Sequence, residues 1–162
     1  MGEERTHVFT ALVEHKPGVL QRIASLFARR KFNIESITVG ATDHPEIARM
    51  TIVTRGDDRV LEQITKQMNK LVNVIKVSDI APDETVLREL CIVKVNTPSE
   101  KQKAQVIQYA NVFRGNVVDV SPASMSVEII GDTRKINAFL AIMRTLGIKE
   151  IARTGATAMQ RG

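Results

Sequence analysis

Short stretches where apolar residues alternate with polar ones are separated along this chain by longer ones where they recur every third or fourth position. The first pattern predicts half-buried strands and the second amphipathic helices. Residues 7–14, HVFTALVE, read as a strand. Pro17 and Gly18 then break the chain. Leu20, Ile23, Ala24 and Phe27 fall at i, i+3, i+4 and i+7, which predicts a helix from about Gly18 to Lys31 with that stripe inward. Asn33 closes the segment as a turn residue tolerant of the left-handed region. Residues 34–42 and 47–55 read as strands, the latter with Ala48, Met50 and Ile52 on one face and Arg49, Thr51 and Val53 on the other. Asp57 or Asp58 caps a second helix whose stripe is Leu61, Ile64, Met68 and Leu71. Residues 72–80 complete a β-α-β-β-α-β order, the split βαβ pattern.

The segment APDET, residues 81–85, is rich in turn formers, and the same order follows it. Strands are expected at 86–95, 117–120, 125–130 and 148–153. One helix starts at Pro98-Ser99, carries Val106, Tyr109, Ala110 and Phe113, and stops at Gly115. Another runs from about Thr133 to Leu146 with Ile136, Phe139, Leu140 and Met143 inward. The tail TGATAMQRG reads as poorly structured. The expected fold is α+β, with two ferredoxin-like units at residues 5–81 and 82–158, each a sheet with helices on one face. A unit of roughly 75 residues has a small core, and an open sheet has unpaired edges. Both favour a homodimer made through the first unit.

Composition narrows the function. Of 162 residues, 43% are hydrophobic and 25% charged, which is ordinary for a globular protein. The net charge of +5 comes from interspersed residues without a dense basic block, which argues against a nucleic-acid partner. The central strands also lack the aromatics that stack RNA bases. No apolar run reaches membrane-spanning length, and MGEERTHV lacks the apolar segment of a secretory signal, so the expected location is cytoplasmic. Cys91 is the single cysteine and sits in an apolar run, as a buried small hydrophobe would.

Catalytic chemistry is not evident. His7, His15 and His44 lack metal-ligand spacing. There is no phosphate-binding glycine loop and no nucleophile elbow. An acylphosphatase-like hydrolase shares the layout, with Arg22 as its phosphate ligand, but the spacing around HKPGVLQR fits it poorly.

The stretch from His15 to Gly40 suggests a binding site instead. A helix N-terminus presents N–H groups that favour an anion. Gly18 lets a ligand approach the backbone. His15 and Asn33 place polar side chains at the two ends. A small carboxylate-bearing molecule suits this arrangement; an unliganded helix start after a Pro-Gly turn is the plainer reading.

EHKPGVLQRIASLF followed by ARRKFNIESITVGAT closely resembles the start of the small, regulatory subunit of acetolactate synthase (acetohydroxyacid synthase). The likeness continues through ARMTIVTRGDD, EQITKQMNKLVNVIKV, VFRGNVVDVSP and EIARTG, in order. The resemblance implies an ACT domain followed by that family's C-terminal ferredoxin-like domain. It implies a non-catalytic chain that binds the large catalytic subunit, activates it and confers feedback inhibition by valine or another branched-chain amino acid. Thiamine diphosphate, Mg and FAD are then expected on the large subunit, and no cofactor or metal on this chain. ACT domains of this type pair side by side. The effector would lie between His15, Gly18, Val19 and Leu20 of one chain and Asn33 and Ile34 of its partner. The alternative is an ACT-type amino-acid sensor or assembly partner for another enzyme.

Two positions depart from the family's usual pattern. Many relatives have Asn or Asp where His15 stands; a neutral imidazole can accept the effector's ammonium hydrogen bond, and a protonated one cannot. Gly is usual where Lys31 stands, and a lysine there is strained if the position is left-handed.

Overall fold

The computed structural model describes residues 5–162. Residues 1–4, half of the stretch read above for a signal, lie outside the described residues. The chain forms two compact units: one is the chain up to Val86 together with Ala156–Gly162, and the other is Leu87–Gly155. Both are four-stranded antiparallel sheets with two helices, in the expected βαββαβ order.

In the first unit the strands are β1 (Arg5–Glu14), β2 (Ile34–Ala41), β3 (Ile47–Gly56) and β4 (Val74–Asp79), in the order β2-β3-β1-β4. The helices are α1 (Val19–Arg29) and α2 (Asp58–Asn69). Side chains alternate across a strand, so one face of β1 supplies Phe9, Ala11 and Val13, and one face of β3 supplies Ala48, Met50 and Ile52. Ile23, Leu26 and Phe27 of α1, with Ile64 and Met68 of α2, close this core. Of the two candidates for capping α2, Asp57 does so, accepting from the N–H groups of Arg59 (3.1 Å) and Val60 (3.0 Å).

The buried stripe of α1 is turned from the expected one. Val19, Ile23, Leu26 and Phe27 are buried, whereas Leu20 is 47% exposed and Ala24 is exposed. Leu20, Ala24 and Ala28 therefore form an apolar stripe at i, i+4 and i+8 on the outer side.

The C-terminal tail is a strand rather than loose chain. Strand β8 runs Ile148–Gln160, and its last residues belong to the first unit. There the Thr38 hydroxyl donates to the Ala156 carbonyl (2.9 Å) and the Ala158 N–H donates to Thr51 Oγ1 (3.2 Å). Ala156 and Ala158 are buried, and Thr51, on the face opposite Ala48, Met50 and Ile52, is 1% exposed beneath them.

In the second unit the remaining strands are β5 (Thr85–Asn96), β6 (Asn116–Ser121) and β7 (Ser124–Gly131), in the order β6-β7-β5-β8. Helices α3 (Glu100–Val112) and α4 (Thr133–Leu146) cover one face. Cys91, Val93 and Val95 pack with Met125, Val127 and Ile129 under Val106, Ala110, Ile136, Phe139, Leu140 and Met143. Ser99 caps α3 and Asp132 caps α4. Gly115 follows the turn after α3, where an added Cβ would stand 2.8 Å from the Glu128 carbonyl oxygen, so no larger residue fits without a shift. Arg153 donates through Nε to the buried Glu89 carboxylate, which also accepts from Thr133 Oγ1 at 3.3 Å.

Candidate functional site

The loop between β1 and α1 is fixed from two sides. The His15 N–H donates to the Glu46 carbonyl (2.8 Å), which ties the loop to the β2–β3 turn. His15 Nδ1 lies 3.2 Å from the Pro45 carbonyl oxygen. A carbonyl only accepts, so Nδ1 carries the proton of this bond, and the Nε2 of a neutral ring is left as an acceptor. On the other side, the Glu14 N–H donates to the Asn73 carbonyl (2.9 Å), and Asn73 Nδ2 donates to the Glu14 carboxylate (2.6 Å). Arg22 Nη1 completes the brace by donating to Asn73 Oδ1 (2.7 Å). The Asn73 amide, and after it Lys16 at 3.3 Å, hold the Glu14 carboxyl below the usual carboxylate range.

Gly18 begins α1 with φ 84°, a left-handed conformation that favours glycine. A Cβ built there meets nothing within 4 Å, so the backbone is open on that side. No side chain caps this helix end. The Val19 N–H donates back to the Lys16 carbonyl (3.5 Å), and the N–H groups of Leu20 and Gln21 are presented with the positive end of the helix dipole. Val19 is buried and anchors the turn, while Leu20 stays at the surface beside it.

The other end of α1 closes in a Schellman motif. The Phe32 N–H donates to the Phe27 carbonyl (3.0 Å) and the Lys31 N–H to the Ala28 carbonyl (3.1 Å). The rings of Phe27 and Phe32 meet edge to face, 6.2 Å apart. Lys31, with φ 58°, occupies the left-handed position, not Asn33. Asn33 is held through its backbone: its carbonyl accepts from the Thr54 hydroxyl at 2.5 Å, and Thr54 is fully buried. The Asn33 side chain is exposed, and Ile34 opens the edge strand β2.

The expected site residues thus fall into two groups. His15, Gly18, Val19 and Leu20 lie at the N-terminal end of α1, and Asn33 and Ile34 beyond its C-terminal end. Eleven helical residues span about 16 Å at 1.5 Å each, so a single chain does not bring the groups together. The bracing residues Asn73, Pro45 and Glu46 carried no local signal, because they contact the loop across 30 to 59 residues. Arg22, the phosphate ligand of the hydrolase alternative, is engaged by Asn73. Among the described residues no three His, Cys, Asp or Glu side chains cluster as a metal site requires. No described helix is long and apolar enough to cross a membrane. Burial pushes the Cys91 thiol up, as for a core residue rather than a nucleophile.

Two split βαβ units, the first with a glycine-opened loop–helix junction and β2 at the edge of its sheet, define an ACT-domain protein with a second ferredoxin-like unit. Residues 9–76 match the AHAS small subunit-like ACT domain, and residues 88–162 match the family described as the small subunit of acetolactate synthase. The chain belongs to the acetolactate synthase small-subunit family. It is 65% identical over 160 residues to the probable acetolactate synthase small subunit of Methanothermobacter thermautotrophicus, covering 99% of this chain and 95% of that one. It is 49% identical over 158 residues to the acetolactate synthase small subunit of Mycobacterium bovis, covering 98% and 94% of the two chains. The crystal structure of the acetolactate synthase small subunit from Thermotoga maritima superimposes with a TM-score of 0.89 at 43% identity, covering 98% of each chain.

Proposed function

We propose that this chain is the non-catalytic regulatory subunit of an acetolactate synthase. It associates with the large catalytic subunit, raises its activity and confers feedback inhibition by valine or another branched-chain amino acid. It works in the cytoplasm. Thiamine diphosphate, Mg and FAD belong to the catalytic partner.

The observation that carries this reading is the placement of the two residue groups at opposite ends of α1, beside an open strand edge. A two-fold dimer contact is isologous, so pairing β2 with its copy runs the two edges antiparallel. The N-terminal end of α1 in one protomer then faces the C-terminal end of α1 in its partner. The outward stripe of Leu20, Ala24 and Ala28 supplies apolar surface for the same contact.

The chemistry suits an amino-acid zwitterion. Its carboxylate is taken by the N–H groups that follow Gly18. Its ammonium needs acceptors once it leaves water, or desolvation outweighs the gain. The Asn33 amide oxygen of the partner protomer and the free Nε2 of a neutral His15 provide them. The aliphatic side chain rests on Val19, Leu20 and Ile34. Inhibition follows by linkage: an effector that binds one arrangement of the dimer more tightly than another shifts the catalytic subunit by that difference.

The test is reconstitution. The catalytic subunit is assayed for acetolactate with and without this chain and with and without valine, leucine and isoleucine. Activation by the chain, together with inhibition that depends on it, is the expected result. Unchanged activity on mixing, or inhibition by the amino acid without this chain, contradicts the reading.

A further inference from the structure

We infer that the first unit carries a second ligand site, for a small oxyanion, beneath its C-terminal strand. A cavity of about 220 Å³ lies on the sheet face opposite α1 and α2. Its centre is a row across three strands, in which Leu12 of β1 pairs with Arg49 of β3 on one side and Lys76 of β4 on the other. The next row places Thr10 beside Ser78. Met159 and Gln160 of β8 form the roof.

The charge of this cavity is unbalanced. Neither Arg49 nor Lys76 forms an ion pair among the described residues. Their backbones are about 10 Å apart across two interstrand gaps, so both long side chains can reach a group held above Leu12. A guanidinium offers a planar fork of donors and an ammonium a point charge, a pair that fits one phosphate or carboxylate group. The hydroxyls of Thr10 and Ser78 add donors, and Leu12, Ile80 and Met159 receive a short apolar body. The volume is below the roughly 300–1,000 Å³ of pockets for drug-sized ligands, which favours a small anion over a nucleotide.

The roof is anchored on both sides. Ala158 is tied to Thr51 (3.2 Å), and the Arg161 N–H donates to the Glu84 carbonyl (2.7 Å). The cavity is therefore roofed on one side by a strand held in place and stays open to solvent past Met159 and Lys76. None of the lining residues belongs to the groups at the ends of α1.

The experiment is an amide NMR titration of the full chain with inorganic phosphate and, separately, with succinate. The expected result is saturable shifts at Thr10, Ser78, Met159 and Gln160 with at least one probe. Phosphate alone indicates a phosphate-type ligand, succinate alone a carboxylate, and both a general oxyanion site. Arg49→Gln with Lys76→Gln should weaken binding at least tenfold. Lys76→Gln alone, an exposed substitution, gives a smaller loss and keeps the test open if the double variant folds poorly. No saturation by either probe up to about 10 mM, tenfold above the 1 mM scale of a weak site, overturns the assignment. Shifts outside the cavity, or affinity unchanged in the variants, overturn it too. So does a response to a polyglutamate peptide alone, because the face would then dock an acidic partner.

Discussion

Asn73 holds Glu14 twice, through its carbonyl to the Glu14 N–H at 2.9 Å and through its amide to the carboxylate at 2.6 Å. These bonds fix the end of β1 from which the Gly18 loop departs. The Glu14 carboxyl lies below its ordinary 4.5, through Asn73 first and Lys16 second. A carboxyl lowered on folding stabilises the fold above its unfolded pKa, and that contribution fades as pH falls through the folded value. Asn73→Ala should therefore be less stable than wild type at neutral pH, with the gap narrowing below about pH 4.5. Denaturant midpoints of both proteins across that range check it. Effector affinity should fall in the variant although Asn73 is not among the residues assigned to the effector.

Lys31 supplies a second prediction. At φ 58° an L-residue is strained by roughly 1–2 kcal/mol, and glycine is not. Lys31→Gly also adds freedom to the unfolded chain, which offsets about 0.5–1 kcal/mol. Lys31→Ala retains the strain. Lys31→Gly should exceed Lys31→Ala in stability by about 1 kcal/mol in urea unfolding.

In the second unit the buried Glu89 holds Arg153, whose side chain is 32% exposed. Removing one partner of a buried pair leaves an uncompensated charge, a loss of about 3–5 kcal/mol. Water can reach Arg153 in part, so Glu89→Ala should lose about 3 kcal/mol, the low end of that range. Glu89→Gln should lose less, because the amide oxygen still accepts. Thermal unfolding of the two variants separates them.

Thr51→Val keeps the shape of the residue and removes the acceptor of the Ala158 N–H. An unsatisfied buried N–H costs about 1–3 kcal/mol. Hydrogen exchange at Ala158 should speed up about tenfold or more, the equivalent of 1.4 kcal/mol. Exchange in α4 should not change.

These features differ in how far local sequence announces them. Helix α4 is legible because Ile136, Phe139, Leu140 and Met143 sit on one stripe and Asp132 caps it, all within one segment. Helix α1 is ambiguous because Leu20 and Ala24 compete with Val19 and Leu26 for the inner face. The sheet decides which stripe is covered, and periodicity alone cannot. The burial of Ala156 and Ala158 is invisible locally, since small residues give a weak apolar signal and their partners Thr38 and Thr51 lie more than 100 residues away. The loop at Gly18 announces itself through Pro17-Gly18, whereas Asn73 acts across 59 residues.

An effector site shared between two protomers can be taken apart and rebuilt in mixed dimers. Asn33→Ala should weaken valine binding by about 1.5–3 kcal/mol, the range for a hydrogen bond to a charged group, or roughly tenfold to hundredfold. Folding should be nearly unchanged, because the turn is held by the Asn33 carbonyl and Thr54. A second chain carrying His15→Ala and Gly18→Val should lose binding at the other half of the site. When the two variants are unfolded together, refolded and titrated by calorimetry, each mixed dimer contains one intact site and one doubly altered site. Tight binding should return at about a quarter of the wild-type number of sites, since half of the re-paired dimers regain one site each. Binding that stays lost in the mixture, or that was never lost in Asn33→Ala, would contradict a shared site.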